Sequence, residues 1–301
     1  MRVRKAVFPV AGLGTRLLPA TKVLAKEMLP IIDTPLIQFA VDEAIAAGCD
    51  TLVFVTNRYK HAIADYFDRS YELEYTLAEA GKHQLLDVIH NILPAHVRCV
   101  FVTQREPLGL GHAVLCAQPA IGNEPFAVLL PDDLLLSRSR PVLAQMAEAA
   151  LRLSPAALVA VEQVPREQVS RYGIVDVDAE ATEDRVVRMR RVVEKPSAED
   201  APSDLAIVGR YLFDPQIFDL LEQTRPGVGG EIQLTDAIAA LIERAPVLAY
   251  RFDGHRHDCG NRAGVVQATL DLALHSEDTR QVLASFFATR SDEIGAQPPS
   301  R

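Results

Sequence analysis

The feature that most constrains this chain is a glycine-bearing loop close behind its first apolar run. Lys5 to Val10 is short and apolar, and Ala11-Gly12-Leu13-Gly14-Thr15-Arg16 follows at once. An apolar run that ends in such a turn reads as a buried strand followed by a loop. Glycines there let the backbone approach a ligand closely and aim its N–H groups at it, as a phosphate chain or a base edge requires. Two common glycine-rich loops are excluded. A dinucleotide fingerprint needs a third glycine or alanine where Leu17 stands, and a P-loop needs Gly-Lys-Ser/Thr, which is missing. A plain structural turn and a nucleotide loop with its own cations remain. Arg16, Lys22 and Lys26 follow within one segment that Pro19 and Pro30 keep out of a regular helix, and they favour the phosphate reading.

The next elements set the fold class. Thr34 is expected to cap a helix, with Pro35 in its first position. Leu36, Ile37, Ala40, Val41, Ala44 and Ile45 form its apolar face, Gly48 ends it, and Thr51 to Thr56 is a strand. Strand, helix, strand within 56 residues is a βαβ unit. The expected fold is therefore α/β: a Rossmann-like, mostly parallel but mixed sheet flanked by helices. Tyr59 to Leu93 carries helical periodicity and reads as an excursion packed on one face. Arg98 to Thr103, Phe126 to Pro131 and Ala156 to Glu162 read as strands, with a helix starting at His112. Gly173 to Val177 and Arg185 to Val193 then alternate around an acidic turn, as an inserted antiparallel hairpin does. Leu205 to Phe213 and Val247 to Phe252 are further strands. Pro215 to Gln223, Leu234 to Arg244 and Arg262 to His275 are helical, and the tail from Ser291 is expected to be disordered.

Composition narrows the function. The chain has 301 residues, 49% of them hydrophobic, enough for one large domain with an added lobe. One domain is expected over residues 1–275, with a nucleotide half to about 135 and a sugar-phosphate half from 136, then a C-terminal helix and tail over 276–301. The net charge of -9 argues against a nucleic-acid partner, whose phosphates need a basic surface. A few cations in one cleft can still draw a phosphorylated small molecule. The basic, apolar N-terminus resembles a signal peptide only until Pro9, Gly12 and Gly14 interrupt it. No apolar run approaches the roughly 20 residues that span a bilayer. Cys49, Cys99, Cys116 and Cys259 form no C-x-x-C pair and read as reduced thiols of a cytoplasmic protein.

Carboxylates supply a metal reading. Asp132-Asp133 ends the run Phe126 to Pro131, and ligands of parallel sheets bind beyond the carboxyl ends of strands. An aspartate there could hold Mg²⁺, which takes few protein carboxylates and keeps phosphates and waters. A polar turn or helix cap is the alternative. His255, His257 and Cys259 alternate and could offer zinc ligands, although structural zinc sites draw on a second segment. Glu194-Lys195-Pro196 closes the hairpin; Lys195 could meet a sugar phosphate and Glu194 sugar hydroxyls, or the two could form a surface ion pair.

At these residues a family comes into view. Ala11 to Lys22 and Lys26-Glu-Met-Leu-Pro30 closely resemble the bacterial UTP–glucose-1-phosphate uridylyltransferases. So do Gly109-Leu-Gly-His-Ala-Val114, Leu130-Pro-Asp132, Glu194-Lys-Pro196, Ala206 to Tyr211, Glu231 to Asp236 and His257 to Asn261, in the family's order and over nearly the whole chain to about residue 275. The resemblance implies UTP and glucose 1-phosphate as substrates, Mg²⁺ on Asp132 and Asp258, and a homodimer or homotetramer. It implies that Lys195 meets the sugar phosphate, that Glu194 and Gly209 meet the hexose, and that Arg16 and Lys26 meet the leaving pyrophosphate. Ala11, Gly12, Gln104 and Gly109 would contact the base, with Gly14 and Thr15 completing the nucleotide loop and Asp132 its metal. Ala25 stands where a proline is expected, and Asp133, in place of the commoner apolar residue, is expected to be solvated or a cap. Thymidylyltransferases share the loop type, but the Lys-Glu-Met-Leu-Pro, Gly-Leu-Gly-His-Ala-Val and Glu-Ile-Gln-Leu-Thr-Asp segments favour the uridylyl family. A non-catalytic nucleotide-sugar sensor would be expected to lack one of these acids or lysines, and none is missing.

Overall fold

The computed structural model describes residues 1–183 and 185–294. The chain opens with β1 (Lys5–Pro9), whose Ala6, Val7 and Phe8 are fully buried. Two short strands, β2 (Pro30–Ile31) and β3 (Thr34–Pro35), pair with each other just before α1 (Leu36–Ala46). That pairing corrects the expected cap. Thr34 makes no cap hydrogen bond, and Pro35 stands at the N-cap instead. The apolar face of α1 is buried as its spacing predicts, and Gly48 leaves the helix at φ 95.

β4 (Thr51–Thr56) completes the βαβ unit in parallel register with β1. The expected helical excursion is α2 (His61–Phe67), α3 (Tyr71–Glu79) and α4 (His83–His90). β5 (Arg98–Thr103) pairs parallel with β4, and after α5 (Leu110–Cys116) and α6 (Gln118–Ile121), β6 (Phe126–Leu129) pairs parallel with β1. β7 (Asp133–Leu136) leaves this sheet, and α7 (Val142–Leu153) leads to β8 (Ala157–Gln163). The hairpin of β9 (Gly173–Glu183) and β10 (Val186–Glu194) is antiparallel; residue 184, in its acidic turn, lies outside the described residues. β11 (Leu205–Phe213) enters between β6 and β8, antiparallel to both. α8 (Ile217–Gln223), α9 (Leu234–Ile242), β12 (Val247–Arg251), β13 (His255–Asp258), α10 (Arg262–Ala273) and α11 (Glu277–Ile294) complete the chain. The helix α11 extends over residues 291–294, where the tail was expected to be disordered; the rest of that tail, residues 295–301, lies outside the described residues.

The result is a nine-stranded mixed sheet in the order β5-β4-β1-β6-β11-β8-β12-β10-β9. Its first four strands are parallel; β4, β1 and β6 are buried on both faces, which explains their apolar runs, and β5 is the partly exposed edge. β13 pairs with β7 in a two-stranded ribbon beside the carboxyl end of β6, and this brings Asp258 opposite Asp133. Among the described residues no helix is long and apolar enough to cross a membrane.

A charged anchor holds the sheet to α1. Arg210 on β11 is 1% exposed and donates to Glu43 of α1 at 2.8 and 3.0 Å and to the carbonyls of Leu130 and Asp133 at 3.1 and 3.0 Å. Glu43 in turn accepts the N–H of Leu143 at the start of α7. Removing one member of a buried pair strands the other without solvent. Arg210→Met is expected to destabilise the chain by about 3–5 kcal/mol in denaturant unfolding. A loss below about 1 kcal/mol would mean that water reaches Glu43.

Candidate active site

The N-terminal loop is shaped by its glycines and by one distant amide. Asn57 Nδ2, just past β4, donates to the Ala11 carbonyl at 2.6 Å. Gly12 has open space where a Cβ would be. Gly14 adopts φ 68 and begins a tight turn over Thr15–Leu17, and the Thr21 hydroxyl donates to its carbonyl at 2.8 Å. A Cβ on Gly14 would lie 3.2 Å from the Cβ of Lys26, so the glycine lets the Lys26 stem pack against the loop. Thr15, Arg16 and Lys22 are exposed.

Lys26 is fixed from behind by its neighbour. Glu27 is fully buried and accepts both its bonds from Lys60 Nζ, at 2.6 and 2.8 Å. Burial drives the Glu27 carboxyl up and the Lys60 ammonium down, and their mutual attraction recovers only part of each shift. No local pattern singles out Glu27 or Lys60, because their pairing is visible only once β4 lies beside the loop.

Lys26 itself reaches forward, and its Nζ sits 2.5 Å from Asp132 Oδ2. Burial alone would raise the Asp132 carboxyl; the Lys26 charge and hydrogen bond outweigh it and hold the group below its ordinary range. Asp258 comes to the same place on β13, with Arg171 Nη2 at 2.7 Å from its Oδ2 and the Gly260 N–H donating to its Oδ1 at 3.1 Å. Gly260 marks a cradle: a Cβ there would lie 3.0 Å from Asp132 Oδ2, 3.0 Å from Asp258 Oδ1 and 3.1 Å from Arg16 Nη2. Two carboxylate oxygens facing one small space suit a hard cation that keeps phosphate and water as its other ligands.

Asp133 corrects the sequence expectation. It is neither solvated nor a cap. Arg256 Nε donates to its Oδ1 at 2.6 Å, and the Gly209 N–H donates to its Oδ2 at 3.1 Å. Arg256 also reaches Glu162 at 2.5 Å, and its guanidinium lies 5.0 Å from the Tyr172 ring centre. Burial pushes the Asp133 carboxyl up despite Arg256. The alternative zinc reading also fails. His257 pairs with Asp271, the Cys259 thiol faces the Gly264 carbonyl, and His255 is exposed. Among the described residues no cluster of three or more His, Cys, Asp or Glu could hold a metal.

The opposite wall comes from the hairpin. Lys195, at φ 46, turns the chain out of β10 and places its Nζ 3.3 Å from Glu194 Oε1. Glu194 Oε2 accepts from the Thr235 hydroxyl at 2.7 Å. Gly209 sits where β11 shifts register against β8. A cavity of about 520 Å³ gathers Arg16, Asp132, Asp258, Glu194, Lys195 and Gly209, together with Asp133, Arg171 and Arg256. Ala11, Gly12, Gly14, Thr15, Lys26, Gln104 and Gly109 do not line it. Gln104 and Gly109 meet each other instead: Gln104 is buried, and its Nε2 donates to the Gly109 carbonyl at 3.1 Å and faces His112 Nδ1 at 3.0 Å. Gly109 adopts φ 96, and a Cβ there would fall 2.7 Å from the Cβ of Glu231.

The nucleotidyl transferase family profile matches residues 5–274. UTP–glucose-1-phosphate uridylyltransferase of Bacillus subtilis is 47% identical over 288 residues, covering 95% of this chain and 96% of the relative. The Haemophilus influenzae enzyme of that name is 46% identical, covering 94% and 97%. This chain belongs to the UTP–glucose-1-phosphate uridylyltransferase family. Solved structures of the family agree with the fold. A UDP-glucose pyrophosphorylase in complex with UDP-glucose has a TM-score of 0.83 at 44% identity, covering 91% of this chain and all of that one. The UTP-bound enzyme of Acinetobacter baumannii has a TM-score of 0.88 at 44% identity, covering 95% and 99%. A glucose-1-phosphate thymidylyltransferase of Bacillus anthracis, at 20% identity and a TM-score of 0.69, shares the fold.

In this uridylyltransferase-family chain, Gly209 is a close steric fit. A Cβ there would stand 2.6 Å from the Leu130 Cβ and 2.7 Å from Asp133 Oδ2. Gly209→Ala is therefore expected to cost about 1–3 kcal/mol in urea unfolding. An unchanged midpoint would show that β11 has room to spare.

Proposed function

We propose that the chain transfers the uridylyl group of UTP to α-D-glucose 1-phosphate, giving UDP-glucose and pyrophosphate. The observation that carries this reading is the convergence of Lys195, Glu194 and Gly209 with Asp132, Asp258 and Arg16 on one cavity. Cation and hydroxyl-binding acid stand on one wall, paired acids and a second cation on the other. That arrangement suits a phosphorylated sugar facing a triphosphate. The identity to enzymes named for this reaction supports the same substrates.

Ala11 and Gly12 would meet the base with Gln104 and Gly109, and Gly14 and Thr15 would turn backbone toward the phosphates. Lys195 would hold the phosphate of glucose 1-phosphate, while Glu194 and Gly209 orient the hexose. An oxygen of that phosphate attacks the α-phosphorus of UTP, the new P–O bond forms, and pyrophosphate leaves in line. The nucleophile is already an anion, so no general base is needed. Positioning and charge neutralisation then account for the rate. Arg16 and Lys26 would take up charge on the departing pyrophosphate. Asp132 and Asp258 would hold Mg²⁺, which when bound offsets charge on the phosphates. The four free cysteines fit a reducing cytoplasm. The exposed Val282, Phe286 and Phe287 of α11 fit a homo-oligomer interface, dimer or tetramer.

The test is pyrophosphate release with each triphosphate crossed with each sugar 1-phosphate, in Mg²⁺ and in excess EDTA. UTP with glucose 1-phosphate should be the best pair, and EDTA should abolish release. No release from any pair would sink the reading. Lys195→Ala should raise KM for glucose 1-phosphate by about tenfold or more while leaving KM for UTP within about twofold. Equal rises for both substrates would misplace Lys195.

A further inference from the structure

Four of the acids that line the cavity face a cation, and two of those cations, Arg171 and Arg256, have no task in the uridylyl transfer. Arg171 is the more exposed of the two. It ends a tight turn, Arg166–Arg171, that is anchored to the body of the chain. Val169 of that turn is buried, and Arg166 donates to the carbonyls of Ala201 and Ser203, both at 2.9 Å. The Arg171 guanidinium lies 5.6 Å from the Tyr172 ring centre and reaches Asp258 Oδ2 at 2.7 Å.

The two oxygens of Asp258 therefore do different things. Oδ1 faces the Gly260 cradle beside Asp132, and Oδ2 is held by Arg171. Arg171 can leave, because its side chain is 45% exposed, whereas Arg256 on Asp133 is 7% exposed and stays. It can also find another anion. The Tyr172 carbonyl accepts the Lys195 N–H at 2.9 Å, so Arg171 and Lys195 stand on adjoining backbone along the same wall.

We propose that Arg171 is a placeholder cation: it neutralises Asp258 in the chain alone, yields that carboxylate to the divalent cation, and turns to the acceptor phosphate beside Lys195. A divalent ion between Asp132 and Asp258 carries twice the charge of a guanidinium and is attracted to both acids. The proposal rests on the reading of Asp258 as a metal ligand and of this cavity as the acceptor site. If Arg171 were only a brace between the turn and β13, its loss would not favour metal binding and would not single out one substrate.

Mn²⁺ titration of the full-length protein without nucleotide, followed by electron paramagnetic resonance, separates the two. R171A should bind Mn²⁺ about twofold to fivefold more tightly than the parent, the range expected from removing one partly exposed ion pair. R171K should fall between them, and D258A should bind more weakly than the parent. In steady-state assays R171A should raise KM for glucose 1-phosphate about tenfold and leave KM for UTP within about twofold. Mn²⁺ binding that is unchanged or weaker in R171A overturns the proposal, as does an equal rise in both KM values. Absence of turnover in the parent would instead sink the uridylyl reading, and the Mn²⁺ comparison alone would then decide the role of Arg171.

Discussion

The site depends on pairing four carboxylates of the cleft with cations. Asp132 faces Lys26, Asp133 faces Arg256, Asp258 faces Arg171, and Glu194 faces Lys195. Four acids crowded around one cavity would repel each other and lose hydration without these partners. Three of the four pairs join stretches of chain far apart in sequence, so the pairing also closes the cleft. Lys26 brings the N-terminal loop to the end of β6, and Arg256 and Asp258 bring β13 to β7.

The pairs differ in what they can do next. Arg256 is buried, stacked over Tyr172 and shared with Glu162, so it serves as a fixed brace behind Gly209. Lys195 lines the cavity and Lys26 reaches Asp132 from beside it, and under the proposed reaction a phosphate could take the place of the carboxylate partner of either. The chain thus carries its own stand-ins for ligand charge. Behind them the buried Glu27–Lys60 and Glu43–Arg210 pairs hold the backbone still. Buried pairs of this kind are weak evidence for stability by themselves. Here each is placed where a site-bearing segment must be fixed: Glu27 beside Lys26, and Arg210 beside Gly209.

Much of this was legible in the sequence, for identifiable reasons. The parallel strands β1, β4 and β6 announce themselves as apolar runs because both their faces are covered. The loop glycines and the cations behind them are local signals. So is the switch to alternation that marks the hairpin. What escaped were pairings that no local pattern reveals, several of them between distant segments. Thr34 has the local chemistry of a helix cap, but β2–β3 pairing claims its backbone. Asp133 reads as a polar turn because nothing near it reveals Arg256. Glu27 sits in a cation-rich loop and gives no sign that it is the most deeply buried acid of the site. Gln104 has its Nε2 turned to Gly109 and His112. Its acceptor oxygen is left as the group with which it could meet a base.

The central claim is that charges paired across the cleft exchange partners when phosphates and a divalent cation arrive. A crystal structure of the chain with Mg²⁺, a non-reactive UTP analogue and glucose 1-phosphate tests it most directly. Asp132 and Asp258 should share the ion, Lys26 should have left Asp132 for a triphosphate oxygen, and Arg256 should still hold Asp133. A ternary complex in which Lys26 remains on Asp132 and the ion binds elsewhere would contradict the account.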